Sequence, residues 1–228
     1  MVYLEPAPYI VGLIDEIRSI WRGEIEAVFV HAAISQPWDH KFRSSAESAL
    51  PSGTLKALRH ISQILSNGRY RLVHLAGWGD PILLGTLLLG SWRRIPVTVE
   101  TDTPGVRGLP LWKRLTKALL YRLIFKLPAM FLPGGSRQAA YLRGYGVQEA
   151  RIQIARMTVD VRKIRSYAES MQHNSSPNAL DRYGIPQGLV IILYLGRLEP
   201  HKGLFDLLQA FDRLRSEVES VALLIAGD

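Results

Sequence analysis

Short apolar runs rich in β-branched residues recur along the chain, separated by longer stretches whose apolar positions fall three and four apart. The runs predict strands at 2–4, 27–31, 71–75, 95–100, 129–132, 152–155, 189–195 and 221–226. The longer stretches predict helices at 9–21, 55–66, 81–92, 111–127, 137–144, 161–171 and 204–218. Strands that are apolar on both faces suit a parallel sheet buried between helices. The alternation of strand and helix makes the expected fold class α/β, a Rossmann-like doubly wound parallel sheet.

The stretch 172–178, Gln-His-Asn-Ser-Ser-Pro-Asn, is polar and reads as a linker or long surface loop. It divides the chain into a first domain at 1–170, a linker at 171–186 and the start of a second Rossmann-like domain at 187–228. The last segment supplies strand, helix and strand, too little for an independent domain of this type, so the sequence reads as cut short. Asn174-Ser175-Ser176 fits a glycosylation acceptor, against the plainer reading of a polar loop.

Composition narrows the class. At 228 residues, 47% hydrophobic and 21% charged, the chain is globular rather than disordered or fibrous. With no Cys it has no disulfide framework, thiolate metal site or thiol nucleophile. No basic segment followed by an apolar one opens the chain, and no apolar run approaches the roughly 20 residues of a spanning helix. The expected location is the cytoplasm, with a peripheral contact on the inner face of the membrane.

Several chemistries lose ground on motif grounds. The dinucleotide G-x-G-x-x-G, the P-loop, the G-x-S-x-G elbow and H-E-x-x-H are all absent, and the six His show no ligand spacing. No metal and no cofactor are expected. One segment is informative, Gly196-Arg-Leu-Glu-Pro-His-Lys-Gly203, which follows an apolar strand and opens a helix. Arg197 and Lys202 beside a helix N-terminus make a diphosphate site, since free N–H groups and the positive dipole end favour an anion. The same spacing also describes an ordinary strand-to-helix turn with two solvated bases.

That segment, followed by Leu207-Leu208, Ala210-Phe211 and Leu223-Leu-Ile-Ala-Gly-Asp228, resembles the nucleotide-sugar-binding half of the family-4 glycosyltransferases. Ser136-Arg137, Tyr141-Leu142, Gly146-Val147, Ile152 and Asp160 resemble the family's stretch leading out of the N-terminal domain. The resemblance implies a retaining enzyme of the two-domain GT-B fold. It would move a sugar from a nucleotide-diphosphate sugar, the donor substrate, to a glycan or lipid-linked acceptor. It gives Arg197 and Lys202 the donor diphosphate and Gly196 the room for the sugar phosphate. The family's acidic E-x7-E motif would lie beyond Asp228, so the 228 residues alone are expected to be inactive. Glu5-Pro-Ala-Pro8 replaces a glycine pair, and Thr98-Val-Glu-Thr-Asp-Thr103 lacks the family's usual His.

Loops at the carboxyl ends of parallel strands line ligand sites. Glu100 and Asp102 are therefore candidates to face the acceptor as catalytic carboxylates, against capping or turn duty at Thr103-Pro-Gly. His74 reads as a core or sheet-end histidine, and Trp78 either stacks on an acceptor or simply packs.

Charge adds the last element. The formal net charge is +8, and no acidic residue occurs between Asp102 and Glu149, where eight bases lie; the remainder of the chain balances. Within that stretch 111–127 is an imperfectly amphipathic helix, with Lys113, Arg114 and Lys117 on one arc and Arg122 and Lys126 among apolar positions. One reading is a contact with an anionic membrane surface through Trp112, Lys113, Arg114 and Lys117. The other is a sheet-covering helix whose long bases snorkel to water. A basic module that binds membrane or nucleic acid without catalysis is the alternative function. No nucleic-acid-binding motif accompanies the bases, and a nucleic-acid partner is not expected.

Overall fold

A computed structural model describes residues 1–32, 47–67, 69–102, 110–156, 159–173, 183–186 and 188–227. The Thr103-Pro-Gly turn, the Asn174-Ser175-Ser176 motif, most of the predicted linker and the side chain of Arg114 lie outside the described residues. The chain divides into two compact units, Met1–Val161 and Arg162–Asp228.

The first unit is built on six parallel strands: β1 (Val2–Tyr3), β2 (Ala27–Phe29), β3 (Glu47–Ala49), β4 (Val73–Leu75), β5 (Val97–Thr101) and β6 (Met130–Pro133). Their order in the sheet is β3-β2-β1-β4-β5-β6. This is a Rossmann-like doubly wound sheet, as the alternation predicts. The winding starts at β1 and runs outward in both directions, so the order reverses between β1 and β4.

Side-chain alternation along the strands sorts them into two cores. Tyr3, Ala27 and Phe29 join Ala7, Ile10 and Ile14 on the side of α1 (Pro8–Ile20). Val2, Val28 and Val30 point the other way, to the core shared with α2 (Thr54–Ser66) and α3 (Pro81–Trp92). Helices on both faces are what strands apolar on both faces require.

Local chemistry sets the helix starts. Pro at the first position, with φ already helical, opens both α1 and α3. Asp80 caps α3, its carboxylate accepting from the Ile82 and Leu83 amides at 2.7 and 3.4 Å. No charged residue occurs within α3, and its glycines let it approach closely. A Cβ on Gly85 would lie 2.5 Å from Leu58 of α2, and one on Gly90 2.8 Å from Val97 of β5.

Two elements differ from the sequence expectation. β3 was not predicted, because three residues beginning with a Glu carry no apolar pattern; Glu47 is nevertheless buried, its charge paired with Arg18 at 2.6 Å. The strand predicted at 152–155 is a single bridge from Ile152 to Phe131, extended by Gln153 and Ala155 amides bonding to the Phe131 and Pro133 carbonyls.

The basic helix α4 (Leu111–Ile124) is turned differently from the predicted arc. Lys117, Ala118 and Tyr121 are half-buried and Ile124 is buried, while Leu111, Trp112, Leu115, Leu119 and Leu123 are exposed. The cause is an aromatic cluster that claims the inner face. Trp78 meets Phe125 at 4.8 Å between ring centroids, and Phe125 meets Phe131 at 5.2 Å and Tyr121 at 4.9 Å. Trp78 thus packs in this cluster, and it also lines a cleft of the first unit. α5 (Ser136–Gly144) follows β6. Among the described residues no helix is long and apolar enough to cross a membrane.

The second unit takes in most of α6 (Val161–His173), then β7 (Val190–Leu195), α7 (Leu204–Glu217) and β8 (Val221–Ala226). β7 and β8 pair in parallel over six residues, Val190 beside Val221 through Leu195 beside Ala226. None of the described residues of this unit is fully buried.

Candidate functional site

The first unit holds a cleft of about 490 Å³ at the point where the strand order reverses. Its floor and walls come from the ends of β1, β4 and β5 and from the inner faces of α4 and α5. Glu100 and Asp102, the two sequence candidates, both line it. So do Tyr3, Tyr9, Tyr121 and Tyr141, none of which the sequence marked as a site residue.

Glu100 is held from below. His74, buried in β4, places Nε2 3.4 Å from the Glu100 carboxylate and Nδ1 2.9 Å from the Thr98 hydroxyl. β4 and β5 pair His74 beside Thr98, so the sheet register sets the second contact. His74 is thus a sheet-end histidine, but one tied to a candidate carboxylate. Tyr3 tilts its ring toward His74, with centroids 5.7 Å apart.

The Tyr3 side chain is 1% exposed and its hydroxyl has no hydrogen-bond partner among the described residues. Burial, and then the charge of Glu100, push its ionisation far above the usual phenol value. Tyr9 is also shifted up, by burial and then by Glu5, Asp102 and Glu100.

Lys117 lines this cleft, its ammonium over the rings of Tyr121 and Tyr141 at 5.0 and 5.7 Å. The sequence put it on one arc with Lys113 and Arg114, and with these two and Trp112 in a membrane contact. Trp112 and Lys113 do face solvent, with Lys113 stacked over the Trp112 ring at 5.2 Å. Gln138 of α5 donates to the Asp102 carbonyl at 2.8 Å, fixing the backbone where β5 ends.

The second unit contains the other candidates, on the loop from β7 to α7. Gly196 donates its amide to the Ala226 carbonyl at 3.0 Å, and the backbones approach so closely that a Cβ on Gly227 would lie 1.8 Å from the Gly196 oxygen. Arg197 reaches Glu199 at 2.9 Å, which also meets His201 at 3.3 Å. The Tyr194 hydroxyl donates to the Arg197 carbonyl at 2.9 Å. Lys202 ends a 3-10 turn, Pro200–Lys202, and its side chain is exposed. Gly203, at φ 72, then makes the left-handed step that starts α7. The loop therefore presents two bases beside a helix start, with one base paired internally to a carboxylate.

Comparison with known proteins bears on this second unit first. Residues 175–228 match the family of glycosyl transferases group 1. A lipopolysaccharide 1,2-N-acetylglucosaminetransferase of Salmonella typhimurium is 36% identical over 61 residues, which is 27% of this chain and 16% of that protein. Among solved structures, a UDP-GlcNAc 2-epimerase of Neisseria meningitidis bound to UDP-GlcNAc aligns with a TM-score of 0.61 at 13% identity. The alignment covers 99% of this chain and 65% of that one. An S. aureus MnaA–UDP co-structure aligns with a TM-score of 0.56 at 14% identity, covering 99% of this chain and 61% of that one. The chain spans less than two thirds of the length of each of these proteins. At such identities the solved structures show the shared α/β fold alone.

Proposed function

We propose that this protein is a glycosyltransferase that moves a sugar from a nucleotide-diphosphate sugar to a glycan or lipid-linked acceptor, with retention at the anomeric carbon. The observation that carries the proposal is the loop from Gly196 to Gly203, which lies inside the matched segment 175–228 and brings Arg197 and Lys202 to the start of α7. The named relatives support the donor class, since one transfers N-acetylglucosamine and two structures hold UDP or UDP-GlcNAc.

The chemistry follows from charge. As the bond from C1 to the diphosphate breaks, negative charge grows on the departing phosphate, and fixed cations stabilise that state more than the bound donor. Arg197 offers a bidentate fork and Lys202 a mobile point charge. A diphosphate takes Arg197 from Glu199, so donor binding frees that carboxylate. The acceptor oxygen bonds to C1 on the face the diphosphate leaves, and the hydroxyl proton departs with that phosphate.

The exposed apolar arc of α4, from Leu111 to Leu123, with Lys113, Arg122 and Lys126 also exposed, supports a contact with an anionic membrane surface. A lipid-linked acceptor would be collected there.

Calorimetry with UDP-N-acetylglucosamine tests the donor site. Arg197→Ala and Lys202→Ala are each expected to weaken binding by about tenfold or more, as loss of a charge-assisted contact does. Binding unchanged in both variants would sink the assignment of these bases.

A further inference from the structure

The cleft of the first unit is electrostatically opposite to the chain that contains it. In a protein of net charge +8, the described residues that line it include Glu5, Asp80, Glu100 and Asp102 against one base, Lys117. Asp80 is engaged in capping α3, and His74 stands behind Glu100. Tyr3 also lines the cleft, near the charge of Glu100, and its hydroxyl is buried and without a partner among the described residues. A buried hydroxyl left unpaired is costly, so its persistence in the lining of a cleft points to a ligand that satisfies it.

We propose that this cleft seats an uncharged, polyhydroxylated sugar of the acceptor, whose hydroxyls bond the Tyr3 hydroxyl and the Glu100 carboxylate positioned by His74, while the acidic lining turns away sugars bearing phosphate or carboxylate. The proposal rests on reading the first unit as the acceptor side of a glycosyltransferase. Carboxylates accept hydrogen bonds from sugar hydroxyls, and the ring of Tyr9 supplies a flat apolar wall. A phosphate or carboxylate brought among these groups meets like charge. Tyr9, shifted up first by burial and then by Glu5, Asp102 and Glu100, stands in the same field. A cationic ligand fits less well, because Lys117 already occupies the faces of Tyr121 and Tyr141 where an ammonium would stack. His74 is a positioning residue in this scheme. Its ring is fixed by Thr98 and its other nitrogen meets Glu100.

The test is an NMR titration of the 228-residue protein with tyrosine rings labelled. The ligands are the methyl glycosides of glucose, galactose and mannose, set against glucose 6-phosphate, glucuronate and glucosamine. At least one neutral glycoside is expected to shift the Tyr3 and Tyr121 ring signals saturably. Its charged counterparts are expected to bind about tenfold more weakly at low salt, with the gap closing at high salt. Tyr3→Phe and Glu100→Gln should each weaken the neutral sugar severalfold without lowering the thermal midpoint by more than a few degrees. Asp102→Asn should narrow the discrimination against glucose 6-phosphate. His74→Gln, which keeps a polar group facing Glu100, should retain more sugar affinity than His74→Leu.

Neutral glycosides that leave the tyrosine rings unmoved would overturn the proposal, and so would equal or tighter binding of the charged sugars. UDP-N-acetylglucosamine binding is measured on the same samples. Its absence beside intact neutral-sugar binding would reject the transferase reading and leave the cleft assignment standing, whereas donor binding without sugar binding would reject the cleft alone.

Discussion

Replacing Leu115 and Leu119 together by Gln tests α4 where it is most open. The two side chains are 63% and 67% exposed, so the folded protein gains little from them. Surface changes of this kind alter stability by about 0.5 kcal/mol or less each. A membrane surface changes the balance. Full burial of a leucine contributes about 1.5–3 kcal/mol, and about two thirds of that remains to be gained at these positions. The pair therefore accounts for about 2–4 kcal/mol of partitioning, or about two orders of magnitude in the membrane-bound ratio.

Gln is neutral, so Lys113, Arg122 and Lys126 keep their attraction to anionic lipid, about 1 kcal/mol each near the surface and screened by salt. The assay is co-sedimentation with phosphatidylglycerol-rich and pure phosphatidylcholine vesicles at low and high salt, with thermal midpoints measured alongside. The wild type is expected to prefer the anionic vesicles, and the double variant to lose binding to them with its midpoint unchanged. Equal partitioning of the two proteins, or a wild type indifferent to lipid charge, would refute the reasoning.

Other expectations are as specific. Gly227→Ala forces a methyl to within 1.8 Å of the Gly196 carbonyl, so β7 and β8 must part at that end; donor affinity should fall sharply while amide exchange in β4 and β5 stays slow. The Tyr70 hydroxyl bonds Glu26, and burial first and that bond second raise it from 10.0 to about 12. A group raised on folding stabilises below its unfolded value and loses that contribution as pH rises through its folded one. The thermal midpoint of the wild type should therefore drop more between pH 10 and 12 than that of Tyr70→Phe. The second unit, with no described residue fully buried, should exchange its amides far faster than the first.

The strand and helix pattern carried most of the fold, because strands such as Val190–Leu195 and Val221–Ala226 are apolar enough to stand out one at a time. Glu47–Ala49 does not stand out, since its place in the sheet depends on an ion pair with Arg18, 29 residues away. The cleft was half legible. Glu100 and Asp102 follow from their position at the end of a strand. Tyr3, His74 and Tyr121 come from three further elements, and only the reversal of strand order brings them together. Lys117 was misplaced because periodicity gives the arcs of a helix without saying which one the aromatic cluster will claim.

The strand β1 has two residues, and its parity decides what the cleft is made of. Val2 enters the core beneath α2 and α3, and Tyr3 enters the one beneath α1. A shift of one residue in that strand would exchange them, burying a phenol among aliphatic side chains and leaving a valine beside Glu100. Tyr3 is kept in place by backbone bonds from both neighbours, Val30 to Tyr3 on one side and Ala76 to Val2 on the other. An insertion or deletion between β1 and Pro8 would lengthen or shorten a loop and spare this arrangement. The same change one or two residues earlier would rewrite the chemistry of the cleft while leaving the composition of the chain almost untouched.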